Sequence, residues 1–179
     1  PDYDSEQQLF AAIVNTLTEF DSIETVSIFL NGCNDITANG SLPPQKHGKY
    51  ALNVENAEIA TSGSAKPLTL YFPNESGSLM IPITRYAEGS TDLYSCIQQL
   101  AAGTELRGLR SCFPENTLVL GAVIENGILT VNLSSDFETV ANDAGLLNLA
   151  TQSVLLTALP YGSINEVHFA VNGIPLKID

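Results

Sequence analysis

Apolar residues near the start of the chain recur at Leu9, Ile13 and Leu17, with Phe10 and Val14 one step on. This i, i+4 spacing is the stripe of an amphipathic helix, and Ser5 with Gln8 fits a capping box at its start. Val26, Ile28 and Leu30 then alternate with Thr25, Ser27 and Phe29, which predicts a half-buried strand ending at Asn31-Gly32. From Asn34 to about Pro67 the pattern dissolves into Asn, Gly, Ser, Thr and Pro, the composition of a linker. Leu68 to Phe72 and Leu79 to Tyr86 are β-rich runs joined by PNESGS, so they predict a hairpin. Thr91 is placed to cap a following helix with Leu93, Ile97, Leu100 and Ala101 on one face and Gly103 just past its end.

The stretch Leu118 to Leu133 is divided by Asn126-Gly127, the signal for a two-residue type I′ turn. That turn pairs Ile124 with Leu129, Ala122 with Val131 and Leu120 with Leu133, all six on one face. A second helix is expected from Asp143, as N-cap, to Leu159, with Leu147, Ala150, Val154 and Ala158 inward and Pro160 and Gly162 as the stop. Val167, Phe169 and Val171 alternate with His168 and Ala170, and Asn172-Gly173 turns the chain into Ile174, Leu176 and Ile178, a last hairpin with its apolar residues on one face. The unit reads strand, strand, helix, hairpin, helix, hairpin. Its class is α+β, two helices packed on a mostly antiparallel sheet.

Part of this pattern occurs twice. IETVSIFLNG, from Ile23 to Gly32, recurs as INEVHFAVNG, from Ile164 to Gly173, and each copy follows a helical stripe. The first copy begins only about twenty residues after Pro1, too few for the elements that precede the second. The expected organisation is therefore 1–37 as the C-terminal part of a first repeat, 38–66 as linker and 67–179 as a complete second repeat. On this reading residues 1–33 do not form a stable domain alone. Their helix stripe and the face of Val26, Ile28 and Leu30 need cover from an N-terminal half, the linker or another molecule. Phe29, opposite that face, is expected either under such cover or in a contact between domains.

Charge narrows the possible partners. Twenty Asp plus Glu against seven Lys plus Arg give a net charge of −13 over 179 residues. Such a surface repels phosphate backbones and anionic headgroups alike, which argues against nucleic acid or direct lipid-surface binding. No run approaches the roughly 20 apolar residues of a membrane span. Of Cys33, Cys96 and Cys112, a Cys96–Cys112 bridge is geometrically open, whereas the odd total and the lack of repeated spacing favour buried free thiols.

Chemistry-bearing residues form no constellation. His168 alternates outward on a strand beside Lys177, and His47 lies in PPQKHGK, read as a solvated loop; no Ser sits in a G-x-S-x-G elbow. Asp35, Thr37, Asn39 and Gly40 imitate the start of an EF-hand loop, but Lys46 stands where the bidentate Glu is required. The cysteine spacing does not fit structural zinc. Asp136 and Glu138 lack the aromatic cleft of a glycosidase pair, Trp being absent, and no phosphate-binding glycine loop occurs. The expectation is no catalytic residue, no cofactor-binding residue, no metal ligand and no enzyme activity.

The run LTLYFPNESGSLMIPITRYA, a helix ending QQLAAGTE, the hairpin ENGILTVNLSSDF, and a helix and strand closing on VHFAVNG together resemble a GerM domain. The likeness covers residues 67–179, and 1–33 resemble the second half of another copy. The resemblance implies tandem domains with a fold similar to ring-building motifs, in an extracytoplasmic lipoprotein anchored to the membrane of a Gram-positive spore former. It further implies a non-enzymatic scaffold or assembly role in the cell envelope during sporulation or germination. Partners would be other envelope or sporulation-complex proteins, self-association included, met through an exposed sheet edge or through Tyr71, Tyr86 or Phe29. The alternative it leaves open is a peptidoglycan-binding accessory domain that positions a cell-wall hydrolase.

Overall fold

A computed structural model of the chain describes residues 3–29 and 46–176. They divide into two compact units, Pro1–Ala51 and Leu52–Asp179.

The first unit is built on helix α1 (Tyr3–Leu17). The Thr18 hydroxyl donates back to the Val14 carbonyl at 2.9 Å, and Phe20 and Ile23 close successive turns beyond it. Of the strand expected over 26–30, Val26 forms an isolated antiparallel bridge to His47, with both backbone bonds made at 2.8–2.9 Å. Leu30 and the Asn31-Gly32 turn lie outside the described residues. The segment read as linker contributes directly here. Tyr50 exchanges two bonds with Asn15 of α1, its N–H donating to Oδ1 at 2.7 Å and its carbonyl accepting from Nδ2 at 3.1 Å.

This segment also buries His47, contrary to the expected solvated loop, because the ring lies against Phe10 at 5.9 Å and Tyr50 at 5.8 Å. The expected helix stripe is thereby split. Phe10 and Val14 are buried, whereas Leu9, Ile13, Leu17 and, further on, Phe20 and Phe29 are exposed.

The second unit opens with β1 (Val54–Glu55), a strand inside the span read as linker, and continues with β2 (Lys66–Pro73) and β3 (Met80–Ala87). β2 and β3 form the expected hairpin. Its turn is organised by Asn74, whose side-chain oxygen accepts from the N–H groups of Ser78 and Leu79. Helix α2 (Leu93–Ala101) is capped by Asp92 rather than Thr91: the Asp92 carboxylate accepts from the Ser95 N–H at 2.8 Å, the N3 position a cap serves. Gly103, left-handed at φ 80°, ends the helix as expected.

Next come β4 (Val119–Glu125), β5 (Ile128–Leu133), the short α3 (Glu138–Ala141), α4 (Ala144–Ala158), β6 (Glu166–Val171) and β7 (Ile174–Pro175). Asp143 caps α4 by accepting from Gly145 and Leu146.

The α+β class is as read, but the strands divide into two sheets, β1-β3-β2 and β4-β5-β6-β7. Two pairings are parallel, β1 with β3 and β5 with β6, the latter through the α3–α4 crossover. The register set by Asn126-Gly127 holds for Ile124 with Leu129 and Ala122 with Val131, then shifts by one residue at Leu120. Val119, not Leu120, therefore opposes Leu133 and is buried, and Leu120 is turned out to solvent, the face change that a β-bulge imposes. In the last hairpin Val167, Phe169 and Val171 point inward and Leu176 packs against the core, whereas Ile174, paired with Val171 in the two-residue β7, is exposed; Ile178 lies outside the described residues.

α2 and α4 cover both sheets, and the core runs between them through Phe72, Ile83, Ile97, Leu100, Leu129, Val131, Val154 and Phe169. Phe137 lies at its centre, with ring centroids 5.6 Å from Phe113 and 5.0 Å from Phe169. Each such fully buried ring contributes about 1.5–3 kcal/mol.

Candidate functional site

The outer edges of the two sheets are treated differently. β2 is closed by a helix: the Thr157 hydroxyl accepts from the Tyr71 N–H at 3.0 Å, and the Ser153 hydroxyl donates to the Tyr71 carbonyl at 2.5 Å. Both hydroxyls are fully buried on α4. The edge continues under cover, since Asn74 bridges to Leu109 and the Arg110 N–H donates to the Pro73 carbonyl. Tyr71 and Tyr86 are only half-buried, and the functional weight at Tyr71 falls on its backbone.

β4, by contrast, is the open edge of its sheet. With Glu125 and Ile128 flanking the two-residue turn as a hydrogen-bonded pair, alternate residues Ala122 and Ile124 direct their N–H and C=O groups away from β5. α2 packs against β4, and its Tyr94 hydroxyl donates to the Val119 carbonyl at 3.0 Å, but among the described residues none hydrogen-bonds the outward backbone groups of Ala122 and Ile124. The side chains along this edge are apolar and exposed, at 62% for Leu118, 47% for Leu120 and 53% for Val123. An unpaired ladder lined by apolar side chains is a template for an added strand.

A second site lies at the C-terminal end of α2, beside β1. The Arg85 guanidinium is buried, donating from Nε to Glu55 at 2.8 Å, from Nη1 to the Gln99 carbonyl at 2.5 Å and from Nη2 to Glu55 and the Gly103 carbonyl. The other Glu55 oxygen accepts from the Thr104 hydroxyl and from the Glu105 N–H at 3.1 Å. Burial acts to raise the Glu55 carboxyl, but the Thr104 hydroxyl and Arg85 outweigh it and hold the group below the usual carboxylate range. A cavity of about 600 Å³ adjoins this pair, lined among others by Asn56, Glu58, Thr104 and Leu106. Sequence reasoning missed this site because Glu55 stood in the supposed linker.

The remaining reactive groups are placed for packing. Cys96 and Cys112 are buried free thiols, and Cys33 lies outside the described residues. Burial pushes Cys96 up and Cys112 up to about 11, the opposite of the thiolate a nucleophile needs. His168 pairs with Glu166 at 2.7 Å on an exposed strand face, and its expected neighbour Lys177 is not described. The Asp136 carboxylate accepts from the Ser134 hydroxyl, and Glu138 begins α3. The EF-hand-like positions 35–40 lie outside the described residues. Among those described, no three His, Cys, Asp or Glu side chains are grouped to hold a metal, and no helix is long and apolar enough to cross a membrane.

Comparison with known proteins is consistent with this architecture. The chain is 28% identical, over 95% of its length, to the spore germination protein GerM of Bacillus subtilis strain 168, and it spans about half (50%) of that protein. The solved tandem GerMN domains of the sporulation protein GerM from Bacillus subtilis superpose with a TM-score of 0.73 at 24% identity, over 97% of this chain and 64% of that one, which shows a shared fold. The family model Germane, described as "Sporulation and spore germination", matches residues 69–177, so the chain belongs to the Germane family.

Proposed function

We propose that this chain acts as a non-enzymatic scaffold or assembly component of the cell envelope in sporulation or germination, through protein–protein contacts at the β4 edge. It works outside the cytoplasm, held at the membrane by a lipid anchor. The family supports the sporulation-related setting. The contact mechanism is carried by one observation: α4 closes β2 with two buried hydroxyls, while among the described residues the outward backbone groups of Ala122 and Ile124 in β4 have no such partner, beside the exposed side chains of Leu120 and Val123.

The test is a Val123→Lys substitution in the native gene. Val123 is exposed, so the charge leaves folding intact while opposing apolar strand addition. Expected are an unchanged melting curve of the purified chain and a spore yield or germination defect approaching that of a gene deletion. Wild-type spores from the folded variant would refute the edge as the working surface. Protease shaving of intact cells tests the location, a digested chain being the expected result.

A further inference from the structure

We propose that the β3 edge with Arg85 is a strand-exchange site, and that its occupant in an assembled state is the 52–56 segment of a second copy of this chain. This inference stands on β1 and does not depend on the β4 reading.

The receptor is preformed by the body of the second unit. Arg85 is aimed by the Gln99 and Gly103 carbonyls, and the Thr104 hydroxyl and Glu105 N–H complete a cradle for one carboxylate. What fills it is thin. β1 pairs through two residues only, Val54 with Thr84 and Glu55 with Arg85, against eight residues in β3. The Leu52 backbone adds two bonds to Thr84, at 2.7 and 3.1 Å, and the Asn53 side chain donates to the Pro82 carbonyl at 2.8 Å. None of residues 52–56 belongs to the buried core, and what their departure leaves without partners is the buried pair Thr84 and Arg85, which the same segment of a second copy satisfies again. Asn53 and Asn56, on either side of the strand, hold left-handed backbones at φ 47° and 55°, which marks the segment's two bends.

The holding energy is thus concentrated in the Glu55 carboxylate and a few backbone bonds, all of which a second copy reproduces. Every copy carries both plug and cradle, so exchange remakes the same bonds in trans, the low-cost route by which identical elements are swapped. Nine residues, 57–65, join the 52–56 segment to β2 and, with the single 3-10 turn Ile59–Ser62 opened, span at most about 30 Å, the slack a swap needs. The cavity beside Glu55 leaves the segment room to depart. The −13 charge repels a second copy at long range, so exchange is favoured as salt screens it.

The test is a charge swap in the full chain. Arg85→Glu in one preparation and Glu55→Arg in another each place like charges together within a chain, whereas both mismatches are relieved only when the two variants exchange strands. Expected from sedimentation is monomer for each alone and, on 1:1 mixing, a species of twice the monomer mass with association at least ten-fold tighter than either self-association. Mixing that leaves two monomers overturns the proposal.

Should either variant fail to fold, Val54→Cys and Thr84→Cys are made in separate Cys33→Ser chains and mixed under air. Paired strands lie about 4.8 Å apart, within disulfide reach. A mixed disulfide dimer at least ten-fold above the Val54→Cys homodimer, and reduced by Glu55→Gln in the first chain, is expected. Mixed dimer no higher than homodimer rejects strand exchange.

Discussion

Helices α1 and α4 have the same length, fifteen residues each, and lie one repeat offset apart (144 − 3 and 158 − 17 both equal 141). They nevertheless meet different surroundings. The α4 positions Ala150, Val154 and Ala158 are all 0% exposed beneath the sheets. Their α1 counterparts Leu9, Ile13 and Leu17 are 57%, 37% and 36% exposed, while Phe10 and Val14, beside the His47 ring, are buried instead. Side-chain size follows this difference: the buried positions of α4 are Ala, Val and Ala, which let the helix approach β2, whereas the α1 positions are Leu, Ile and Leu. The stripe in the sequence marks which face is apolar, and what is folded against it decides which residues of that face are dry.

The contrast is testable from its strongest form downward. Val154→Asp places an unpaired charge in the core and should cost more than about 4 kcal/mol, unfolding the second unit, whereas Ile13→Asp should stay within about 1 kcal/mol. Urea midpoints of the two variants decide it; equal losses would show that α1 is as buried as α4. Arg85→Met leaves the Glu55 carboxylate buried beside two bare carbonyls and should cost about 3–5 kcal/mol by the same measurement.

Thr157→Val removes the acceptor for the Tyr71 N–H and should cost about 1–3 kcal/mol. Its α1 counterpart, exposed Thr16, should tolerate Val within about 0.5 kcal/mol. The difference between the two threonines, read as melting shifts, measures the strand cap alone. Asp143→Ala should cost about 1 kcal/mol through the lost α4 cap.

Acid offers a graded version of the Arg85 test. The Glu55 carboxyl is held below its ordinary value, so its stabilisation is present above the unfolded value of about 4.3 and is lost as pH falls through the depressed one. The wild-type chain should therefore lose more stability below about pH 4 than Glu55→Gln does, as followed by urea unfolding at stepped pH.

Local chemistry made much of this legible. Asn126-Gly127 set a hairpin register that holds for the four residues nearest the turn on its buried face, and Asp143, Pro160 and Gly162 bounded α4. What escaped depends on contacts distant in sequence. Nothing in the run Leu118 to Leu120 announces the bulge that exchanges Val119 for Leu120 in the core. The parallel pairing of β5 with β6 is made only after α4 has crossed over. Ser153 and Thr157 resemble solvent-facing residues on a helix until Tyr71 is brought beside them, and Glu55 resembles linker until Arg85 is seen across from it. His47 and Phe137 were missed for the same reason, since their burial is conferred by partners from other segments.

The two hydroxyls on α4 also impose an order in time. Tyr71 and Thr157 are 86 residues apart, whereas β2 and β3 are joined by a short turn, so the expected order is hairpin first and cover afterwards. Closing a loop of that length costs entropy that a hairpin does not incur, and contacts of such separation form late. Where the hairpin pairs first, its outer strand edge, with Tyr71 at its middle, has no cover until α4 arrives. In that order of events, the pace at which α4 forms and docks decides whether the edge meets α4 or another unfolded chain first.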